Sequence, residues 1–123
     1  FEKFLVRVEI LREYYKRKAY SDVIREGQEA LELGLKGVLR SVGVEPTFTH
    51  DPGKELGAVE ERLPSSLKKL APDLVEWSRN LRRERELAYY GAADFIPTEE
   101  YKEKDALEVI EFLEKVATEI RSL

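Results

Sequence analysis

Apolar residues recur every three or four positions through the first forty residues, which is the spacing of one buried face on an α-helix. The first stripe consists of Phe4, Leu5, Val8, Leu11, Tyr15 and Ala19. It predicts an amphipathic helix that ends near Tyr20. The second stripe consists of Ile24, Gly27, Leu31, Gly34, Leu35, Val38 and Val42. With Ser21 as its predicted cap and Gly43 as a left-handed terminator, a second helix is predicted from about 22 to 42.

Further along the chain, prolines and glycines mark where helices start and stop. Residues 44–50 are predicted to form a loop, and Asp51 followed by Pro52 favours a short third helix that reaches about Leu63. Pro72 predicts a break or kink before a longer helix from about 73 to 90. Gly91 is the predicted end of that helix.

A final helix is predicted after Thr98, which is its expected cap. Its apolar stripe consists of Ala106, Ile110, Leu113, Val116, Ala117 and Ile120. No segment shows the strict alternation of apolar and polar residues that indicates a strand. We therefore predict an all-α fold, an antiparallel bundle of about five helices that share one core in a single domain over residues 1–123.

Three glycines lie inside the predicted second helix, at Gly27, Gly34 and Gly37. Each lowers helix stability by about 1 kcal/mol relative to alanine. A close approach by another helix would explain their presence. The alternative is that an otherwise strong helix tolerates them.

The composition limits the classes of protein to which the chain can belong. Hydrophobic residues make up 42% of its 123 residues, enough for one core, and the 37% that are charged must then cover the surface. There is no run of eighteen apolar residues and no signal-peptide pattern, so a cytoplasmic location is expected. The net charge of -4 argues against a protein that coats nucleic acid indiscriminately, and leaves room for a local basic site.

The scarcity of cysteine and histidine excludes several chemistries. Cysteine is absent and His50 is the lone histidine, which rules out disulfides, thiol nucleophiles and paired Glu-x-x-His iron sites. Neither a metal nor a cofactor is expected. Asn80 and Gln28 are single examples of their types beside abundant Glu, Lys and Arg, which predicts a thermophilic source.

The densest basic cluster lies on the fourth long helix. Its arginines and the tyrosines that follow are Arg79, Arg82, Arg83, Arg85, Tyr89 and Tyr90. Guanidinium groups can hold phosphates through paired hydrogen bonds, and phenol rings can stack on bases, which is what RNA or nucleotide recognition requires. The alternative is a solvated face, in which Glu76, Glu84 and Glu86 form ion pairs with the arginines one turn away.

One arginine of this cluster has a different predicted environment. At 100 degrees per residue, Arg85 projects into the arc of Leu74 and Trp77, whereas Arg79 and Arg83 project to the other side. A partly buried arginine requires an acidic or phosphate partner. The candidate carboxylates are Asp105, Glu29 and Glu32.

Four stretches of the chain together resemble one known family. They are Ala30, Leu33, Lys36 and Leu39 ahead of Gly43; Thr49-His50-Asp51; Arg85-Glu86-Leu87-Ala88-Tyr89-Tyr90-Gly91; and Tyr101 with Asp105-Ala106. In this order they are similar to the pattern of the HEPN domain (higher eukaryotes and prokaryotes nucleotide-binding), across nearly the whole chain.

The resemblance implies a dimeric helical bundle, often encoded beside a minimal nucleotidyltransferase, whose active members cut RNA. Their signature is an arginine followed after four to six residues by a histidine. Arg83 and position 88 fit this spacing, and Tyr90 fits a tyrosine that commonly follows, but position 88 is Ala88. Without an imidazole, metal-independent cleavage loses its usual participant. No catalytic residue is therefore assigned, and the predicted binding residues are Arg82, Arg83, Arg85, Tyr89 and Tyr90.

Three functions follow from these patterns. The leading one is a HEPN-like dimer that binds nucleotide or RNA phosphate, beside a nucleotidyltransferase or as half of a toxin–antitoxin pair. The second is a structural interaction module without a ligand, and the third is a weak ribonuclease that uses Arg83 and Tyr90. His50 is either a general base or an anchor of its loop, and its place in the Thr-His-Asp stretch favours the anchor.

Overall fold

The computed structural model describes residues 1–46, 51–90 and 103–123, with side chains throughout these ranges except at 84–90. The helices are α1 (Glu2–Lys16), α2 (Tyr20–Ser41), α3 (Pro52–Ala58), α4 (Ser65–Tyr90) and α5 (Glu103–Arg121). A 3-10 turn, Glu60–Arg62, lies between α3 and α4. No strand occurs in these ranges, which confirms the predicted all-α bundle. The predicted terminator Gly91 and cap Thr98 lie outside the described residues.

Helix α2 is the centre of the bundle, because it packs against α1, α3, α4 and α5. Its buried residues cover about half of its circumference. They are Val23, Ile24, Gly27, Gln28, Ala30, Leu31, Gly34, Leu35, Val38 and Leu39. Apolar residues from all five helices join them in one hydrophobic cluster. The stripe predicted for the final helix is entirely buried in that cluster, so α5 presents the predicted face to the core.

The glycines of α2 face neighbouring side chains at very short range. A Cβ atom on Gly27 would lie 2.6 Å from Val109 Cγ1 of α5, and one on Gly34 would lie 2.9 Å from the Phe4 ring of α1. Gly37 is covered by the Phe1 ring in the same way. The predicted close approach is therefore confirmed, and it comes from two different helices.

The junction of α1 and α2 differs from the prediction. Helix α1 ends at Lys16, four residues before the predicted Tyr20, because Lys18 adopts a left-handed conformation with φ of 61°. The Lys18 N–H donates to the Tyr15 carbonyl, and the next N–H along the chain donates to the Tyr14 carbonyl, each at 3.0 Å. These two bonds form a Schellman motif, which closes a helix with backbone groups only. A lysine at the left-handed position was not recognisable as a terminator.

The start of α2 was also predicted wrongly. Its N-cap is Ala19, without a side-chain hydrogen bond, and Ser21 lies inside the helix. At the other end of α2 the prediction is confirmed: Gly43 has φ of 82°, and the Val44 N–H donates to the Leu39 carbonyl at 2.9 Å. The predicted cap of α3 is confirmed as well, because Asp51 Oδ1 accepts from the Lys54 backbone N–H at 3.2 Å.

A break or kink was predicted at Pro72, and the break is wrong. Helix α4 begins at Ser65 and continues through Pro72. Pro72 lies on the exposed side, where water can satisfy the carbonyl that loses its N–H partner. The opposite side buries Leu67, Ala71 and Leu74, whose burial favours one uninterrupted helix.

Helix α5 also packs against α1, and a paired ionic contact joins the two. Arg12 Nε donates to Glu114 Oε2 at 3.0 Å, and Arg12 Nη2 donates to Glu114 Oε1 at 2.7 Å. The hydrogen bonds from Arg12 are the main reason why the pKa of the Glu114 carboxyl lies below its ordinary value, and the same contact raises the pKa of Arg12.

The Arg12–Glu114 pair makes stability depend on pH in a defined direction. Because the pKa of Glu114 is lowered on folding, its stabilising effect is present above the unfolded pKa and is lost as the pH falls through the folded pKa. Solvent screens this half-exposed pair, so Glu114→Gln is expected to reduce the free energy of unfolding by about 0.2–1 kcal/mol at neutral pH. Urea unfolding at neutral pH and in strong acid measures this, and a loss that persists in acid would contradict it.

Candidate functional site

The described part of the arginine cluster lies along the second half of α4. Arg79 and Arg83 are one helical turn apart, and both are exposed. Among the side chains that the structure describes, neither of them forms an ion pair, and Glu76 does not bridge to Arg79. Two like charges at this spacing destabilise a helix by about 0.2–0.5 kcal/mol. Among the described side chains, no contact offsets this repulsion, so the pair is a candidate for holding an external anion.

Arg82 has a different environment from its two neighbours. It faces α2, where its Nη2 lies 3.3 Å from Glu32 Oε1, and the two side chains are 27% and 25% exposed. The guanidinium group is thus held at the seam between α2 and α4, next to the exposed Arg83. One of the predicted binding residues already has an acidic partner within the fold.

Glu32 is held by a second donor from its own helix. Gln28 Nε2 donates to the same Oε1 atom at 2.6 Å, and Gln28 is only 3% exposed. Burial of an amide requires a hydrogen-bond partner, and the carboxylate supplies one. Gln28, Glu32 and Arg82 therefore form one polar cluster across the seam.

Helix α4 is held against the rest of the bundle by aromatic and apolar contacts. The rings of Trp77 and Phe112 stack with centroids 5.0 Å apart and an interplanar angle of 12°, which ties α4 to α5. One turn further along α4, Leu81 is buried in the core. These contacts fix the helix orientation in which Arg82 faces α2 and Arg83 faces solvent.

Several predicted site residues cannot be placed. Arg85, Tyr89 and Tyr90 belong to the last turns of α4, but their side chains lie outside those that the structure describes. His50 and the tyrosine at 101 also lie outside the described residues. Of the carboxylates predicted as partners of Arg85, Glu32 contacts Arg82.

The hydrogen bond from Gln28 to Glu32 and the Arg82–Glu32 contact were not predicted from the sequence. Gln28 gave a signal, because it is a polar residue within the apolar stripe of α2 and lies one turn before Glu32. Within the described ranges, no group of three or more His, Asp or Glu residues is arranged to hold a metal ion. None of the helices in these ranges combines the length and the apolar character that crossing a membrane would require.

Comparison with known proteins gives one match. A family model described as HEPN domain matches residues 5–123, essentially the whole chain. No curated protein and no solved structure matches the chain significantly.

Proposed function

The chain belongs to the HEPN domain family, and from this premise we propose that it binds the phosphates of a nucleotide or of RNA through the arginines of α4. The observation that carries the proposal is the exposed guanidinium of Arg83 beside Arg82, which forms no ion pair with the side chains that the structure describes. Arg85, Tyr89 and Tyr90 continue along the same helix and extend the proposed site. Arginine suits this role because its planar group donates two hydrogen bonds to one phosphate.

The proposed site binds RNA without cutting it. Arg83 keeps the spacing of the family's catalytic signature, but Ala88 stands where that signature has histidine. Tyr90 is a poor replacement, because the ordinary pKa of a tyrosine is near 10 and the phenol rarely gives up its proton at neutral pH.

Binding is expected to respond to a single exposed arginine. Arg83→Ala should weaken the binding of a fluorescently labelled single-stranded RNA by roughly 1 kcal/mol, because one charge-assisted phosphate contact is lost in a solvated setting. Fluorescence anisotropy over a range of salt concentrations measures both the affinity and its salt dependence, which should weaken with the contact.

The matched control is Arg62→Ala. Arg62 is also exposed and forms no ion pair among the described residues, but it lies before the start of α4. The helix from Ser65 to Arg83 is about 27 Å long, so Arg62 is far from the proposed site. Equal losses in the two variants would indicate attraction by overall charge. No binding of RNA or nucleotide at low salt would favour the structural module, and cleavage that depends on Tyr90 would favour the ribonuclease.

We further propose that the chain forms a two-fold dimer through the outer face of α1. Val6 and Ile10 are 49% and 47% exposed. They line a groove with Tyr14 and with the charged residues Glu2, Lys3, Arg7 and Glu26, of which Arg7 and Glu26 pair with each other at 3.6 Å. An apolar face flanked by charges of both signs is complementary to a second copy of itself. The glycines Gly27, Gly34 and Gly37 of α2 are covered by side chains of the same chain and do not contribute to this face.

The dimer is tested by its mass in solution. Light scattering of the unmodified protein at tens of micromolar should give twice the mass of one chain, and Ile10→Lys should give a monomer because it places a charge at the centre of the apolar face. Leu123→Lys is the control, since Leu123 is equally exposed but lies beyond α5. A monomer mass for the unmodified protein would reject the dimer.

The further proposal is that the module works beside a nucleotidyltransferase or within a toxin–antitoxin pair. It rests on membership of the family, in which such pairing is common. Co-expression with the product of a neighbouring gene, followed by co-purification, tests it. Recovery of this chain without any neighbouring product would count against it.

A further inference from the structure

The proposed phosphate-binding surface of α4 already faces a negatively charged group of the protein itself, the Glu32 carboxylate of α2. Glu32 Oε1 lies 3.3 Å from Arg82 Nη2, and it is the carboxylate that the described structure places on that guanidinium. A guanidinium that donates to a carboxylate has part of its charge neutralised and fewer donors left for a phosphate. Among the described side chains, no carboxylate pairs with the exposed neighbour Arg83.

Glu32 is also prevented from leaving easily. The buried amide of Gln28 donates to the same oxygen at 2.6 Å, so rotation of the carboxylate away from Arg82 would also break this hydrogen bond. Losing a hydrogen bond to a charged group is costly. The Glu32 carboxylate is thus held in place by a residue of its own helix, α2, and faces Arg82 on α4.

We propose that Glu32 is an internal competitor for Arg82 that restrains phosphate binding at this site and thereby sets its affinity. The inference rests on the proposed function and adds a residue from α2 to a site otherwise built on α4. A ligand phosphate gains the full contact with Arg82 only by displacing the Glu32 carboxylate. A ligand phosphate contacts Arg83 first, and Arg82 contributes once the phosphate has displaced the Glu32 carboxylate.

The variant that tests this is Glu32→Gln. It keeps the size of the side chain and an oxygen that can accept from Gln28, but it removes the negative charge. Binding of labelled single-stranded RNA should become roughly tenfold tighter, as expected for one additional charge-assisted contact. The slope of log affinity against log salt should steepen by about 0.7, the value for one more phosphate contact on a single strand.

The gain must depend on Arg82. In a double-mutant cycle, Glu32→Gln should leave affinity unchanged when Arg82 is already Ala, since the competitor then has nothing to block. A role in stability only would not alter the salt slope. The melting temperature, measured on each variant, shows whether the fold is kept. If Glu32→Gln does not fold, Glu32→Asp replaces it, and this shorter carboxylate should give a smaller gain in affinity.

The outcomes separate this inference from the proposed function. Absence of RNA binding in both the unmodified protein and the variants would overturn the proposed function. Binding by the unmodified protein that Glu32→Gln leaves unchanged or weakens would overturn the role of Glu32 and leave the proposed function standing. A gain that persists without Arg82 would also overturn it, because the effect would then be one of general charge.

Discussion

Replacing Phe4 by alanine is expected to lower the free energy of unfolding by about 3–5 kcal/mol. Phe4 is 1% exposed, and its ring fills the space beside Gly34 where α1 crosses α2. Truncation removes the apolar contacts and leaves a cavity that the rigid helix backbones close only in part. Urea unfolding followed by circular dichroism measures the loss.

Phe1→Ala is the matched control, because it makes the same chemical change on the same side of the bundle. The Phe1 ring covers Gly37 but is 42% exposed, so its removal should lower the free energy of unfolding by less than about 1 kcal/mol. Similar losses in the two variants would show that the packing of Phe4 on Gly34 is not what holds α1 in place.

Gly27→Ala is expected to destabilise the protein although alanine is the better helix former. Its Cβ would lie 2.6 Å from Val109 Cγ1, and valine has little freedom to rotate away inside a helix. Crowding of this kind outweighs the gain in helix propensity, and the net loss should be about 1–2 kcal/mol. Chemical denaturation of the purified variant measures it.

Two further variants sharpen this test. Gly57→Ala lies on the exposed side of α3, where the nearest atom to a new Cβ is Val75 Cγ2 at 3.9 Å, so it should stabilise by about 0.5–1 kcal/mol. Combining Gly27→Ala with Val109→Ala removes the opposing methyl group, and the pair should cost less than the sum of the single changes. If Gly27→Ala stabilises the protein as Gly57→Ala does, the close approach of α5 to α2 is wrong.

The positions of the helices could be predicted because they depend on local chemistry. The apolar stripe of α5 is buried as its spacing indicated, and Gly43 and Asp51 end and begin helices through contacts with residues only a few positions away. Local signals failed where a residue behaves unlike its type. Lys18 takes the conformation usual for glycine, and Pro72 is accommodated inside α4.

The candidate site, like the helices, could be predicted only in part. A basic stretch on one helix is visible in the order of its residues, so Arg82 and Arg83 were found together. Nothing in that order distinguishes them, whereas in the fold Arg83 meets solvent and Arg82 meets a carboxylate fifty residues away in the chain. That difference is the basis for proposing Arg83 as the arginine that is available to a ligand.

The sequence by itself determined the helical class, the approximate extent of α1 and α2, the buried face of α5, the family and the stretch of chain that carries the basic groups. It could do so because helix periodicity, capping and charge clustering act over one or two turns. Only the tertiary structure decided that Phe4 and Val109 pack against the glycines of α2 and that Glu32, held by Gln28, contacts Arg82. Those contacts depend on how α1, α4 and α5 rotate and slide against α2, which is fixed by packing of the whole core rather than by neighbours in the chain.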